Sequence, residues 1–490
     1  MTATLLTARW VLGNVDGRHR LYEQGEVVYD GDSILFVGHG YPGEVARRID
    51  CGMSLIAPGF IDLDALSDLD TTVLGYDNQP PAKKGRIWPR SYIERGPYEM
   101  YSPDELAFQK RYAFTQLIRN GITTALPIAS LFYRAWGETV GEFEAAADAA
   151  IDLGLRVYLG PAYRTGNFVV EEDGTVGTMF DEPRGLAELN AAIAFAKTQE
   201  GRAGGLIKAM LAPDRVETCT PELLKRSAAA AKDLDIPVRL HCHQSKIEYD
   251  TVLALHGKSP AEWLESLGFL SDRALLPHAT YVSGSSRIDR PGRDLEIMRD
   301  NGASIVHCPL VSARHGSSIE SFSRYKAMGL KIGLGTDTWP ADMLLNCQVG
   351  MMFNRVIERS TGVVRSEDYF DAATLGGAEA LRRPDLGRLS PGAKADIVVW
   401  DLAHDRIGQV IDPIQTLMLN ASGRDARHVI INGRMVMWDG VLPGVDHLAM
   451  QMRAQEQFDR LIAKYPERTL GHPPVSEIFS TAYPVERRPA

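Results

Sequence analysis

Short apolar segments separated by helical patterns occupy the centre of the chain. The first, Pro58 to Leu66, begins with a Pro-Gly turn, continues with apolar residues and ends among carboxylates. Seven further apolar segments begin at Gly121, Leu155, Gly205, Pro237, Ala274, Ala303 and Lys331. Eight predicted strands alternating with helices over residues 58–383 indicate an α/β protein built on a (β/α)8 TIM barrel.

Two of the intervening helices have clear starting signals. Ser102 precedes a long helical pattern and Glu105 stands three residues later, which is the spacing of a capping box. Thr220 and Pro221 offer an N-cap and a first helical residue for another pattern. The sequence therefore predicts helices that start at these two places.

Both ends of the chain are rich in β-forming residues and turns. Residues 1–57 alternate short β-rich runs with turns, among them the hairpin signal at Asp30-Gly31-Asp32. Residues 384–446 return to the same pattern. We expect the two ends to build one β-sandwich that flanks the barrel. A helix from His447 and an irregular tail complete residues 447–490.

Composition and net charge indicate which partners and which cellular compartment to expect. The 490 residues are 44% hydrophobic and 24% charged, as in ordinary globular proteins. A net charge of -10, with only short basic clusters, argues against nucleic acid or an anionic membrane as the main partner. The five scattered cysteines lack a CxxC pair, and no apolar run approaches the roughly 20 residues of a membrane helix. We expect a soluble cytoplasmic protein.

The ordered motifs of this chain resemble the amidohydrolase superfamily. After the first strand come NGITT, LAPD, LHCHQS, LLPHAT, VHCP, LGTD and LSPGAKADIVV, which begin at Asn120, Leu211, Leu240, Leu275, Val306, Leu334 and Leu389. The set is most similar to the branch of triazine chlorohydrolases and S-adenosylhomocysteine, guanine and cytosine deaminases. The resemblance covers nearly the whole chain. It implies the barrel, a small-molecule substrate and a homodimer or higher homo-oligomer.

Three side chains at predicted strand ends form a candidate metal site. Residues at the carboxyl ends of barrel strands converge, and His241, His278 and Asp337 stand at such ends. Imidazole and carboxylate donors suit Zn²⁺ or Fe²⁺. By the resemblance, these residues match the ligands from the fifth, sixth and eighth strands. It also implies that Asp337 is the general base and that His278 serves catalysis.

Other positions depart from the family pattern. The first-strand His-x-His pair is replaced by Asp64 and Leu66, so that only Asp64 offers a ligand atom there. Gln244 holds a catalytic position where the deaminases carry a proton-shuttling glutamate, and an amide cannot transfer that proton at neutral pH. Asp214 stands where they carry a histidine that contacts substrate.

Two functional hypotheses follow. In the first, one divalent metal, zinc or iron, is held by His241, His278, Asp337 and Asp64. The protein then hydrolyses a small nitrogen heterocycle by deamination, ring amide opening or dechlorination. In the second, the protein has lost the metal and uses the cavity for non-hydrolytic chemistry or ligand binding. A metal-induced rise in melting temperature separates the two.

The predicted substrate contacts lie near the same end of the barrel. They are Asp214, His243, His307, Trp339, Trp88 and Arg164. Trp88 belongs to the segment 74–101, which is rich in arginines and aromatic residues. A loop of this length over a barrel mouth is typical of a lid or a subunit contact, and both alternatives remain open.

Overall fold

The architecture was obtained as a computed structural model. It describes residues 3–77, 79–96, 99–128 and 134–486, apart from the side chains of residues 66, 70, 71, 74 and 82. The strands are β1 (Thr4–Val15), β2 (Arg18–Asp30), β3 (Ser33–Gly38), β4 (Arg47–Asp50), β5 (Ser54–Pro58), β6 (Phe60–Leu66), β7 (Trp88–Pro89), β8 (Ile122–Ile128), β9 (Arg156–Leu159), β10 (Ala162–Tyr163), β11 (Gly166–Val170), β12 (Val176–Phe180), β13 (Ile207–Ala209), β14 (Ala212–Pro213), β15 (Val238–Arg239), β16 (Ala274–Pro277), β17 (Ser304–His307), β18 (Lys331–Leu334), β19 (Ile397–Asp401), β20 (Ala426–Ile431) and β21 (Arg434–Met437).

The helices connect and cover these strands. They are α1 (Arg90–Arg95), α2 (Pro103–Arg119), α3 (Val140–Leu153), α4 (Glu182–Gln199), α5 (Arg202–Gly205), α6 (Pro221–Leu234), α7 (Lys246–His256), α8 (Pro260–Ser266), α9 (Asp294–Asp300), α10 (Pro309–Arg314), α11 (Phe322–Ala327), α12 (Met343–Ile357), α13 (Ser366–Asp371), α14 (Gly377–Ala380), α15 (Pro413–Asn420), α16 (His447–Lys464) and α17 (Val475–Ile478). Short 3₁₀ or π turns cover Leu69–Gly75, Ala82–Arg86, Val216–Thr218, Ala372–Gly376, Asp405–Ile407, Gly423–Asp425 and Tyr465–Arg468.

Eight parallel strands form the centre of the molecule. They lie in two four-stranded sheets, ordered β13-β9-β8-β6 and β15-β16-β17-β18. Backbone hydrogen bonds bridge the sheets on both sides: Asp337 N donates to Asp64 O at 2.8 Å, and Arg239 N donates to Leu211 O at 2.9 Å. This is the strand order of a (β/α)8 barrel, which brings the carboxyl ends of all eight strands to one face.

A buried carboxylate joins the first strand to the segment after the last. Asp62 Oδ2 accepts from Thr336 Oγ1 at 2.6 Å, and Asp62 Oδ1 accepts from Thr336 N at 3.0 Å. The interior below is apolar, with Leu63, Leu275 and Val306 packed in one cluster. Side chains of alternate strand residues thus fill the barrel interior.

The two chain ends share a single eight-stranded sheet. Its order is β21-β20-β19-β5-β1-β2-β3, with β4 beside β1, and β5 pairs antiparallel to β19. Arg156 on β9 reaches this sheet through a buried ion pair with Asp396, 3.0 Å apart. The sheet therefore unites both ends, whereas the two-layer sandwich and the exact domain limits stay predictions.

The predicted helix starts are confirmed, including that of α6, which begins at Pro221 directly after Thr220. The capping box before α2 is confirmed: Ser102 N donates to Glu105 Oε2 at 2.9 Å, and Glu105 N donates to Ser102 Oγ at 3.3 Å. A helix begins at His447 as expected. Thr220 precedes α6 without a side-chain cap hydrogen bond. Among the described residues, no helix combines the length and apolarity needed to cross a membrane.

A buried lysine neutralises acidic side chains beside the barrel. Lys110 on α2 is fully buried, and its Nζ lies 2.9 Å from Asp68, 3.0 Å from Glu142 and 3.4 Å from Glu138. Arg134 adds a second cation, 2.7 Å from Glu142. Buried charges of this kind require their partners, because an unpaired charge loses hydration without compensation.

We expect Lys110→Met to lower the free energy of unfolding by about 3–5 kcal/mol, because it leaves buried carboxylates without their cation. Thermal and denaturant unfolding of the purified protein measure this loss. The matched control is Lys246→Met, which removes an exposed pair with Asp250 and costs less than about 1 kcal/mol. Equal stability of the two variants would show that the cluster does not hold the fold.

Candidate active site

Four predicted metal ligands converge at the carboxyl ends of the barrel strands. Asp64 lies on β6, and His241, His278 and Asp337 follow β15, β16 and β18. His241 Nε2 is 3.5 Å from Asp64 Oδ2, and His278 Nε2 is 3.7 Å from Asp337 Oδ2. The two imidazole rings lie 5.5 Å apart, centroid to centroid. The structure therefore brings together residues that are up to 273 positions apart in sequence, counting from residue 64 to residue 337.

These side chains fit a single divalent cation. Ligand atoms of Asp64, His241 and His278 all lie within 4.8 Å of one another. Two ligand atoms on tetrahedral zinc are about 3.4 Å apart, given bonds of about 2.1 Å. Within the described part of the chain, Asp64 Oδ1 and His278 Nε2 are buried without a hydrogen-bond partner. The donor set and its spare atoms therefore match zinc or iron chemistry.

The backbone fixes the orientation of these ligands. His241 Nδ1 donates to the carbonyl oxygen of Asp214 at 2.8 Å, and this hydrogen bond turns Nε2 towards Asp64. His278 and Asp337 have positive φ angles of 87° and 41°. Such angles are uncommon for residues other than glycine and are often found at functional sites.

The pKa values of Asp64, Asp337 and His278 are shifted in different directions. Burial alone would raise the pKa of Asp64, but His241 and Arg239 outweigh it and hold that pKa below its ordinary value. Burial, together with the charge of Asp64, raises the pKa of Asp337 to about 8. Burial also lowers the pKa of His278 well below its usual range. His278 is therefore neutral, the form in which imidazole binds metals.

Two further side chains contact Asp64 and were missed in the sequence. Arg239 is buried, with Nε 3.4 Å from Asp64 Oδ1 and Nη1 donating to Leu126 O at 2.7 Å. Cys308 Sγ lies 3.7 Å from Asp64 Oδ2. Arg239 stands two positions before His241, so the two-residue period of a strand is a signal that would have placed it inside the barrel.

A cavity of about 400 Å³ opens above the four ligands. Its lining includes the predicted contacts Trp88, Arg164, Asp214 and Gln244, together with Arg86, Ile87, Ile93, Arg215, Glu217 and Glu248. Part of the segment 74–101 therefore forms a wall of the cavity, as a lid would. A subunit contact by the same segment stays a prediction.

Three predicted substrate contacts do not line this cavity. His243 is buried, with Nδ1 bonded to Tyr281 O at 2.8 Å. His307 points to the surrounding helices, 3.2 Å from the hydroxyl of Tyr369, because its neighbour Cys308 takes the inward position. Trp339 stacks on a tyrosine of α2. We therefore do not retain His243, His307 and Trp339 as substrate contacts.

The chain matches a known protein family. The family model described as Amidohydrolase family matches residues 56–436. The chain belongs to the amidohydrolase family. This confirms the resemblance noted in the sequence and the prediction of an amidohydrolase-type enzyme acting on C–N bonds.

Relatives of this amidohydrolase include several deaminases. It is 25% identical over 449 residues to the 5-methylthioadenosine/S-adenosylhomocysteine deaminase of Natronomonas pharaonis, covering 90% of this chain and 94% of the relative. It is 27% identical over 478 residues to the enzyme of that name from Pelotomaculum thermopropionicum, covering 94% and 98%.

Solved structures show the same fold. An adenosine deaminase from Xanthomonas campestris with bound zinc gives a TM-score of 0.76 at 19% identity, over 94% of this chain and 98% of that one. Atrazine chlorohydrolase from Arthrobacter aurescens TC1 complexed with zinc gives 0.74 at 22% identity, over 93% and 99%. The predicted (β/α)8 barrel is confirmed at the level of the fold.

Asp214 and Gln244, which differ from the deaminase pattern, each accept a hydrogen bond from an arginine. Arg164 Nη1 donates to Asp214 Oδ2 at 3.2 Å, so the Asp214 side chain is held in an ion pair. Arg215 Nη1 donates to the side-chain oxygen of Gln244 at 2.9 Å. The two positions that differ from the deaminase pattern are thus each held by a neighbouring arginine.

We expect Zn²⁺ or Fe²⁺, added to chelator-treated protein, to raise the melting temperature, because the metal binds only the folded site. The gain is about 2.7 kcal/mol at a free metal concentration 100 times Kd. His241→Ala removes one ligand and should abolish the rise. The exposed His472→Ala should retain it. An unchanged rise in His241→Ala would place the metal elsewhere.

Proposed function

We propose that this protein is a metal-dependent hydrolase that cleaves a C–N bond of a small nitrogen heterocycle and releases ammonia. One observation carries the proposal: ligand atoms of Asp64, His241 and His278 lie within 4.8 Å of one another, and Asp337 lies 3.7 Å from His278, beneath a cavity of about 400 Å³. The deaminase relatives support a purine nucleoside such as 5-methylthioadenosine as the first candidate substrate.

The four converging side chains would hold one metal, zinc or iron. When bound, such a metal supplies Lewis-acid chemistry that activates water and polarises the substrate. The metal-free alternative is not favoured, because it leaves His278 Nε2 buried without a hydrogen-bond partner in the described chain, while Asp64 Oδ1 has only the ion pair with Arg239.

The protein itself orients the substrate and moves protons. Asp337 lines the cavity and lies beside His278, where it can accept a proton from the attacking water. Trp88 and Ile93 give one wall an apolar surface for a planar ring. The ion pair of Arg164 with Asp214 provides polar groups at another wall. A cytoplasmic location and a homodimer stay predictions.

We expect the metal-loaded protein to release ammonia from at least one member of a panel containing 5-methylthioadenosine, S-adenosylhomocysteine, adenosine, guanine and cytosine. Asp337→Asn should lower kcat by about 10²–10⁴, the usual contribution of a general base. Chelation should abolish turnover and readdition of metal should restore it. A coupled ammonia assay measures all three effects, with a chlorotriazine included to detect chloride release.

The control is Asp148→Asn, an exposed carboxylate far from the cavity lining, which should keep the wild-type kcat. Full activity after chelation would exclude the proposed reaction. So would an unchanged kcat in Asp337→Asn.

A further inference from the structure

The proposed reaction needs a proton donor that Gln244 cannot supply. Cleavage of a C–N bond in a heterocycle requires protonation of nitrogen, which acid catalysis by a side chain commonly provides. An amide is neutral and does not exchange its protons in this way at neutral pH. The Gln244 side chain accepts a hydrogen bond from Arg215 at 2.9 Å. Another acidic group must therefore supply the proton.

Two of the acids lining the cavity already have other roles. Asp214 is paired with Arg164, 3.2 Å away. Glu248 accepts hydrogen bonds from the backbone nitrogens of His243 at 2.5 Å and Gln244 at 2.8 Å, so both of its oxygens hold the chain after β15. Both carboxyl groups are thus held by neighbouring groups of the protein.

Glu217 is the remaining acid of the lining apart from the proposed metal ligand Asp337. Its side chain is 6% exposed, lines the cavity and keeps Oε2 without a hydrogen-bond partner among the described residues. A buried carboxyl oxygen with no partner costs free energy, which a bound ligand can recover. Burial raises the pKa of Glu217, an effect that Arg215 only partly opposes.

Glu217 is also held close to the metal ligands. It lies in the short turn Val216–Thr218, and Val216 N donates to the backbone oxygen of His241 at 3.1 Å. The preceding Asp214 accepts from the His241 ring. The turn therefore lies beside the backbone of the proposed ligand His241, and Glu217 belongs to the same cavity lining as Gln244.

We propose that Glu217 is the catalytic proton donor of this enzyme and takes over the role that the amide at position 244 cannot fill. This inference rests on the proposed function.

The carboxyl groups of Asp337 and Glu217 together account for every proton that the reaction moves. The water oxygen bonds to the sp² carbon, and one water proton goes to Asp337. The electron pair of the C=N π bond moves to the ring nitrogen, which takes the proton of Glu217. The adduct then returns its hydroxyl proton to Glu217 as C=O forms. The C–N bond to the amino group breaks with its electron pair on nitrogen, which takes the proton of Asp337 and leaves as ammonia.

The test compares four variants of the full chain, each loaded with metal and checked for metal content. They are Glu217→Gln, Gln244→Glu, the double exchange of both, and the exposed control Glu172→Gln. The substrate is the panel compound that the wild type deaminates. Glu217→Gln should lower kcat by about 10²–10⁴ with KM within a few-fold and metal content unchanged. The double exchange should regain at least about tenfold in kcat, because it restores one carboxyl group in the same cavity lining.

A merely structural role for Glu217 would not be rescued by a carboxyl group at position 244. Wild-type kcat in Glu217→Gln, or no recovery in the double exchange, overturns the inference while the proposed function stands. If the wild type releases no ammonia from any panel compound, the proposed function fails and this inference falls with it. A kcat that falls equally in Glu172→Gln would also exclude a specific role for Glu217.

Discussion

The charge of one buried carboxylate, Asp64, organises the catalytic end of the barrel. Its side chain has no exposure to solvent, and it lies 3.4 Å from the guanidinium of Arg239 and 3.5 Å from the imidazole of His241. Its backbone oxygen accepts from Asp337, which joins the first strand to the segment after the last. Without these partners the carboxylate would not stay ionised, since burial alone favours its neutral form. Ligand geometry and barrel closure thus depend on the same residue.

This arrangement supports the proposed metal site in the absence of the first-strand histidines of the family pattern. A neutral imidazole pair needs no counter-charge, whereas a buried carboxylate does, and Arg239 supplies it from within the barrel. Arg239 is itself held by the carbonyl oxygens of Leu126 and Pro127, so its position is set by the backbone of β8. The replacement of histidine by Asp64 is therefore matched by a cation that the barrel interior already holds.

The sequence predicted the barrel well because strand position depends on local patterns. Short apolar runs and the ordered motifs located all eight strands, and the strand ends located His241, His278 and Asp337. The prediction of His243 as a substrate contact failed where its strand stops: His243 has a positive φ of 61°, so the chain has already turned away from the barrel. The strand period could have placed Arg239 inside the barrel, but its pairing with Asp64 and the place of Glu217 in the cavity lining are properties of the folded chain.

The pKa of each acid around the cavity depends on how closely a cation approaches it. Asp64 has Arg239 and His241 within 3.5 Å and keeps its pKa low, which suits a permanent metal ligand. Glu217 has the burial without such close pairing, and burial raises its pKa, which is the property that the proposed proton donor requires. Separating the two environments allows one site to contain a fixed negative charge and an acid together. The absence of a carboxyl group at position 244 is then compatible with acid catalysis. The raised pKa that an acid catalyst needs comes from the surroundings of the side chain and not from one sequence position.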